Sequence, residues 1–244
     1  MEVFRRGTKA AGLFKILERY PGQVVILRNT AEIARLRPRK KGLLNRLTDV
    51  EQTEGFPKYA AAVAAGHPKV ITHLEAKQKH AKEFLDDFLP EAESLKKRML
   101  HMLDTFTQED LSELRSKRKQ ITVSLARRIE VEVAQTTRTL YADTLGIQIL
   151  PATPDIKYSF PFRFAVCYYS LACRWGHSGG LQGLSVKDFR NDLNDCTYAA
   201  YASFYDGLIT CDDRLSDVYN LSIKLLEGVF GIADLSAREI PVSA

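Results

Sequence analysis

Asp195, Asp212 and Asp213 are the residues of this 244-residue chain whose type and spacing suit chemistry best. Asp195 stands where a helix should begin, Tyr198, Ala199, Ala202 and Phe204 follow on helical spacing, and Asp206-Gly207 closes the pattern. Leu208-Ile209-Thr210 then reads as a short buried strand, with Asp212-Asp213 just beyond its C-terminal end. In an open parallel sheet, ligands bind outside the carboxyl ends of the strands. Carboxylates gathered there repel one another unless a cation sits between them, and Mg²⁺ or Mn²⁺ with oxygen ligands and bound water suits such a group. The alternative reading makes Asp195 and Asp212 or Asp213 helix N-caps, each worth about 1 kcal/mol. Spacing alone accommodates both roles.

Charge is distributed unevenly. Residues 28–46 hold seven positive side chains against Glu32, a net of +6, whereas residues 188–217 hold seven aspartates against Arg190 and Arg214, a net of −5. A basic flank beside an acidic cluster suits a protein that holds a polyanion on one surface and metal ions on another; solvated helix faces give the same pattern.

Three stretches must position these residues. The opening reads as helix (Ala10–Tyr20), breaker (Pro21-Gly22), short β-branched strand (Val24–Leu27) and a helix carrying Ile33 and Leu36 that Pro38 ends. Residues 42–145 are strongly helical. One apolar stripe joins Ile71, Leu74, Ala81, Leu85 and Phe88, and another joins Leu95, Met99, Met102, Leu103 and Phe106. A third, from Leu111 through Leu114, Ile121, Leu125 and Ile129 to Leu140, is long enough for one helix of more than 30 residues. From Gly146 the pattern changes to a strand at Ile147–Leu150, a buried aromatic helix over Phe162–Trp175, and a loop from Trp175 to Gly180. His177 in that loop reads as a turn residue.

An Asp that opens a helix of small residues, followed by a short hydrophobic strand and Thr-x-Asp, resembles the C-terminal half of PIN-domain nucleases. Here the match is Asp195 with Ala199 and Ala202, then Leu208-Ile209-Thr210-Cys211-Asp212. Val24-Val25-Ile26-Leu27 followed by Glu32 looks like that family's second strand and its acidic helix start, although pairing with Arg28 and Arg35 accounts for Glu32 equally well. The strand ending in Asp that opens the family's domain has no counterpart here; the expectation is either a start upstream of Met1 or a chain that has lost that first metal ligand.

The resemblance implies a three-layer α/β/α PIN-like domain with a short parallel sheet and a large helical insertion. Residues 1–41 and 146–244 form its two parts, and 42–145 form the insertion or bundle. It implies a metal-dependent ribonuclease with Glu32, Asp195 and Asp212 as catalytic ligands of Mg²⁺ or Mn²⁺. Asp192 and Asp213 are auxiliary acids, and Thr210 orients a carboxylate or water. Arg35, Arg37, Arg39, Lys40 and Lys41 would hold the backbone of RNA, or of single-stranded DNA as the other polyanion of that class. The alternatives are a catalytically inactive PIN-like module that binds RNA or a protein, and a helical interaction protein whose middle segment meets a second copy or another partner.

Composition sets the remaining bounds. With 45% hydrophobic and 27% charged residues, 14 Gly, 9 Pro and 4 Cys, the chain is neither collagen-like, disordered nor disulfide-dense. Its four cysteines show no metal-like spacing and read as reduced thiols. No apolar run approaches the ~20 residues that span a bilayer, and MEVFRRGTK lacks a signal-peptide core, so a cytoplasmic protein with no membrane partner is expected.

Overall fold

The computed structural model describes residues 14–115, 121–148, 150, 153–178 and 180–232. Its architecture is helical. Among the described residues the β-structure amounts to one isolated antiparallel bridge between Leu27 and Thr48. The expected three-layer α/β/α arrangement with a parallel sheet is therefore corrected to an all-helical fold.

The helices in chain order are α1 (Thr30–Ala34), α2 (Leu43–Leu47), α3 (Val50–Ala64), α4 (Pro68–Asp87), α5 (Leu89–Leu103), α6 (Gln108–Arg115), α7 (Val123–Thr139), α8 (Thr153–Ile156), α9 (Phe160–His177), α10 (Val186–Ala202) and α11 (Asp213–Gly228). Two compact units divide them: Met1–Asn29 with Asn45–Pro90, and Thr30–Leu44 with Glu91–Ala244.

In the first unit, Asp49 caps α3 by accepting the Gln52 N–H at 3.0 Å. Phe56, Ala60 and Val63 then fall on one face and bury against Phe14 and Leu74. The turn into α4 closes with a left-handed residue. Gly66 has φ 71°, and the N–H groups of Gly66 and His67 bond back to the carbonyls of Val63 and Ala62. Val24–Leu27 is no sheet strand, and Ile26 and the following Arg28 bond to other segments. The Ile26 N–H donates to Thr53 Oγ1 (2.9 Å), the Ile26 carbonyl accepts from the Asp49 N–H (2.8 Å), and the Arg28 N–H donates to the Leu47 carbonyl (2.9 Å). These bonds tie the segment to the start of α3 and the end of α2.

The second unit is organised around α9. Ser159 caps it, Pro161 sits in its first turn, and every residue from Phe160 to Cys173 is buried. A helix with apolar residues on all sides must be surrounded, and α1, α6, α7, α10 and α11 pack on it. The Ser170 and Ser222 hydroxyls meet at 3.0 Å where α9 touches α11. The free thiols of Cys167, Cys173 and Cys196 are buried, and that of Cys211 is exposed.

Four further expectations change. The third stripe is not one continuous helix, because Ile121 and Thr122 are non-helical and Thr122 caps α7 from its Oγ1 to the Leu125 N–H; residues 116–120 lie outside the described residues. The loop expected from Trp175 begins later, since Trp175–His177 complete the last turn of α9. Ile147, Gln148 and Leu150 form no strand, and Ile149 lies outside the described residues. Leu208–Thr210 is neither strand nor buried: it is an irregular link between α10 and α11, with Ile209 fully exposed. The side chain of Leu85, placed in the first stripe, and residues 10–13 of the opening helix also lie outside the described residues.

Candidate functional site

Asp212 is the N-cap of α11. Its Oδ1 accepts the N–H groups of Arg214 (2.8 Å) and Leu215 (3.1 Å), while its own N–H donates to Thr210 Oγ1 at 3.0 Å. Thr210 thus orients backbone rather than a carboxylate. Asp213 is exposed in the first turn of α11, where a negative charge complements the helix dipole.

Asp195 does not open a helix. That place belongs to Ser185, which accepts the Asp188 N–H at 3.1 Å and donates its hydroxyl to the Asp188 carboxylate at 2.6 Å. Asp195 lies well inside α10, half-buried, and its charge helps burial to hold the Cys196 thiol protonated.

Among the described residues Asp192 is the acid the fold isolates most. It is 4% exposed on α10, accepts the Trp175 indole N–H at 3.0 Å, and has Arg214 Nη1 of α11 at 3.6 Å. Burial pushes its carboxyl up; the Trp175 hydrogen bond and the Arg214 and Arg174 guanidinium groups pull it down, and Asp188 adds to the rise. These contacts knit the end of α9 to α10 and α11, together with the Arg174–Asp217 pair at 3.4 Å.

The raised carboxyl has a measurable consequence. An acid whose folded pKa exceeds its ordinary 3.8 contributes stability that is complete below 3.8 and lost as pH rises through the folded value. Asp192→Asn keeps an oxygen for the indole and removes the titration. The unfolding free energy of the natural chain should therefore gain on that of the variant as the buffer is taken from about pH 7 to about pH 4. Parallel stability curves over that interval would show that Asp192 is not desolvated.

Glu32 is exposed in the first turn of α1. Its charge reaches Tyr201, near the end of α10, and the Thr30 and Tyr201 hydroxyls lie 3.0 Å apart. Tyr201 is six residues beyond Asp195, roughly 9 Å along the helix axis. Among the described residues no three His, Cys, Asp or Glu side chains gather as a metal-holding group. With Asp212 occupied by two backbone N–H groups and Asp192 by an indole and a guanidinium, this donor set does not fit Mg²⁺ or Mn²⁺.

The basic residues are placed differently. Arg35, Arg37, Arg39, Lys40 and Lys41 are all exposed, in the irregular link between α1 and α2. Ile33 and Ala34 before the link, Pro38 within it and Leu43 after it are buried, so the backbone is anchored while the charges face solvent. The Thr30–Tyr201 contact and the packing of α1 on α9 hold its start.

Two features had no sequence reading. Arg163 and Arg190 are buried in the core of the second unit. A cavity of about 230 Å³ lies among α6, α7 and α9, with Phe106, Leu125, Val131 and Tyr169 in its lining and the Asp110–Arg128 ion pair beside them. The available signal for the cavity was Val131 on the polar side of α7.

In comparisons with protein families, curated proteins and solved structures, the chain matches none. The likeness to PIN-domain nucleases rests on the quoted residues, and the parallel sheet it implied is not present among the described residues. No helix among the described residues is long and apolar enough to cross a membrane.

Proposed function

We propose that the chain is a helical RNA-binding module that grips the phosphate backbone with the segment 35–41 and does not cleave it. The observation that carries this reading is the exposure of five basic side chains on a short link whose Ile33, Ala34, Pro38 and Leu43 are buried. Lys and Arg on an anchored backbone neutralise phosphates at a smaller cost in ordering than the same charges on a free tail. Contacts of that kind position a nucleic acid and carry no sequence information, so binding is expected to be strongly salt-dependent and weakly selective.

Binding without turnover follows from the acids. Asp212 caps a helix and Asp192 satisfies an indole, and both roles belong to the folded chain. Fluorescence anisotropy with a short single-stranded RNA should show binding at low salt, unchanged by EDTA, and the RNA should stay intact on incubation with Mn²⁺. No binding at low salt would end the proposal. Mn²⁺-dependent cleavage that is lost in Asp195→Asn would replace it with the nuclease reading.

A further inference from the structure

Helix α7 has two unlike faces. Leu125, Ile129, Val133 and Thr137 are buried. On the exposed side Val123, Arg127, Glu130, Val131, Ala134 and Arg138 recur at helical spacing and share one stripe. Val123 is 74% exposed and Val131 62%. Among the described residues of the second unit, Ile209 is the only other large hydrophobic side chain so exposed. Two valines on the solvent face of a helix are poor solvation and good contact material.

Arg127 and Glu130, at the centre of this stripe, are self-complementary in charge. We propose that it is the contact face of a homodimer, in which two α7 helices pack antiparallel about a two-fold axis passing beside residues 128 and 129. In that register each Arg127 faces the second copy's Glu130, so one sequence supplies both ion pairs. Val123 faces the second copy's Ala134. Val131 comes over the second copy's Arg127, whose aliphatic stem it covers, at the mouth of the cavity that Arg127 and Val131 help to line. A parallel pairing would set Arg127 on Arg127 and Glu130 on Glu130, and like charges disfavour it. One helix pair buries less than the roughly 1,200 Å² of a stable standard interface, so the dimer is weak and reversible.

Sedimentation velocity on the intact chain over a concentration series should show a monomer–dimer equilibrium in the micromolar range. Arg127→Glu and Glu130→Arg should each weaken it about tenfold or more, and the double charge swap should restore it. Val131→Glu should weaken it as well. All these positions are exposed, so the helical circular dichroism should not change. A monomer at every concentration overturns the proposal and leaves the face to a different partner. A dimer indifferent to Val131→Glu, or a double variant no better than the single ones, also overturns it.

Discussion

Replacing Arg35, Lys40 and Lys41 together by alanine is expected to weaken RNA binding by on the order of 100-fold near 0.1 M salt. The magnitude follows from counterion release. Each phosphate contact on a single strand contributes a slope of about −0.7 in log K against log salt, so three lost contacts flatten the slope by about 2. At ~0.1 M that slope difference is also about two decades of affinity. All three side chains are exposed, and none belongs to the buried anchors Ile33, Ala34, Pro38 and Leu43, so stability should move by no more than about 0.5 kcal/mol. The control is a triple substitution of equal charge elsewhere, such as Lys69, Lys77 and Lys79 of α4. Equal losses in the two variants would mean that net charge binds the RNA and that segment 35–41 has no special part. A triple variant at 35, 40 and 41 that binds like the natural chain would remove the segment from the interface altogether.

The second large effect lies in the core. Arg163→Ala should destabilise the chain by about 3–5 kcal/mol. Arg163 is 1% exposed at the start of α9. Its Nε donates to the Lys157 carbonyl at 3.0 Å, its Nη1 to the Ser203 carbonyl at 3.1 Å, and the guanidinium lies 5.0 Å from the centre of the Phe204 ring. One side chain thus ties the entry of α9 to the turn that follows α10. Burial lowers its pKa to about 10, so it stays charged at neutral pH. Alanine leaves two carbonyls without these donors and a void where the longest side chain of the region stood. Methionine fills most of the void and removes the cost of burying a charge, yet it also leaves the carbonyls unmet, so Arg163→Met should cost about 1–3 kcal/mol. Urea unfolding followed by the fluorescence of Trp175, the chain's single tryptophan, measures both. A loss below about 1 kcal/mol for the alanine variant would contradict the burial of Arg163. Equal losses for alanine and methionine would assign the effect to the hydrogen bonds rather than to packing.

These contacts also mark how far one-dimensional reading reached. The helical character of residues 42–145 and the buried aromatic helix that became α9 were legible, because apolar spacing and capping residues act within one or two turns of chain. The exposure of Arg35, Arg37, Arg39, Lys40 and Lys41 was legible for a similar reason: such a density of like charge has no place in a core. The β-branched runs Val24–Leu27 and Leu208–Thr210 were different. A strand exists only if a distant segment supplies hydrogen-bond partners, and nothing in four residues says which segment comes. For Val24–Leu27 the bonds formed are those of Ile26 with Asp49 and Thr53, which tie the segment to the start of α3 and not to a sheet. Leu208–Thr210 met no such segment and remained a link. The acids divided in the same way. Asp212 as a cap was one of two readings that spacing allowed, whereas the burial of Asp192 required Trp175 from one helix and Arg214 from another to reach the same carboxylate. Arg163 is the extreme case. A charge in an apolar run looks like a surface residue until tertiary packing brings Lys157, Ser203 and Phe204 around it and makes the interior the place where its hydrogen bonds are met.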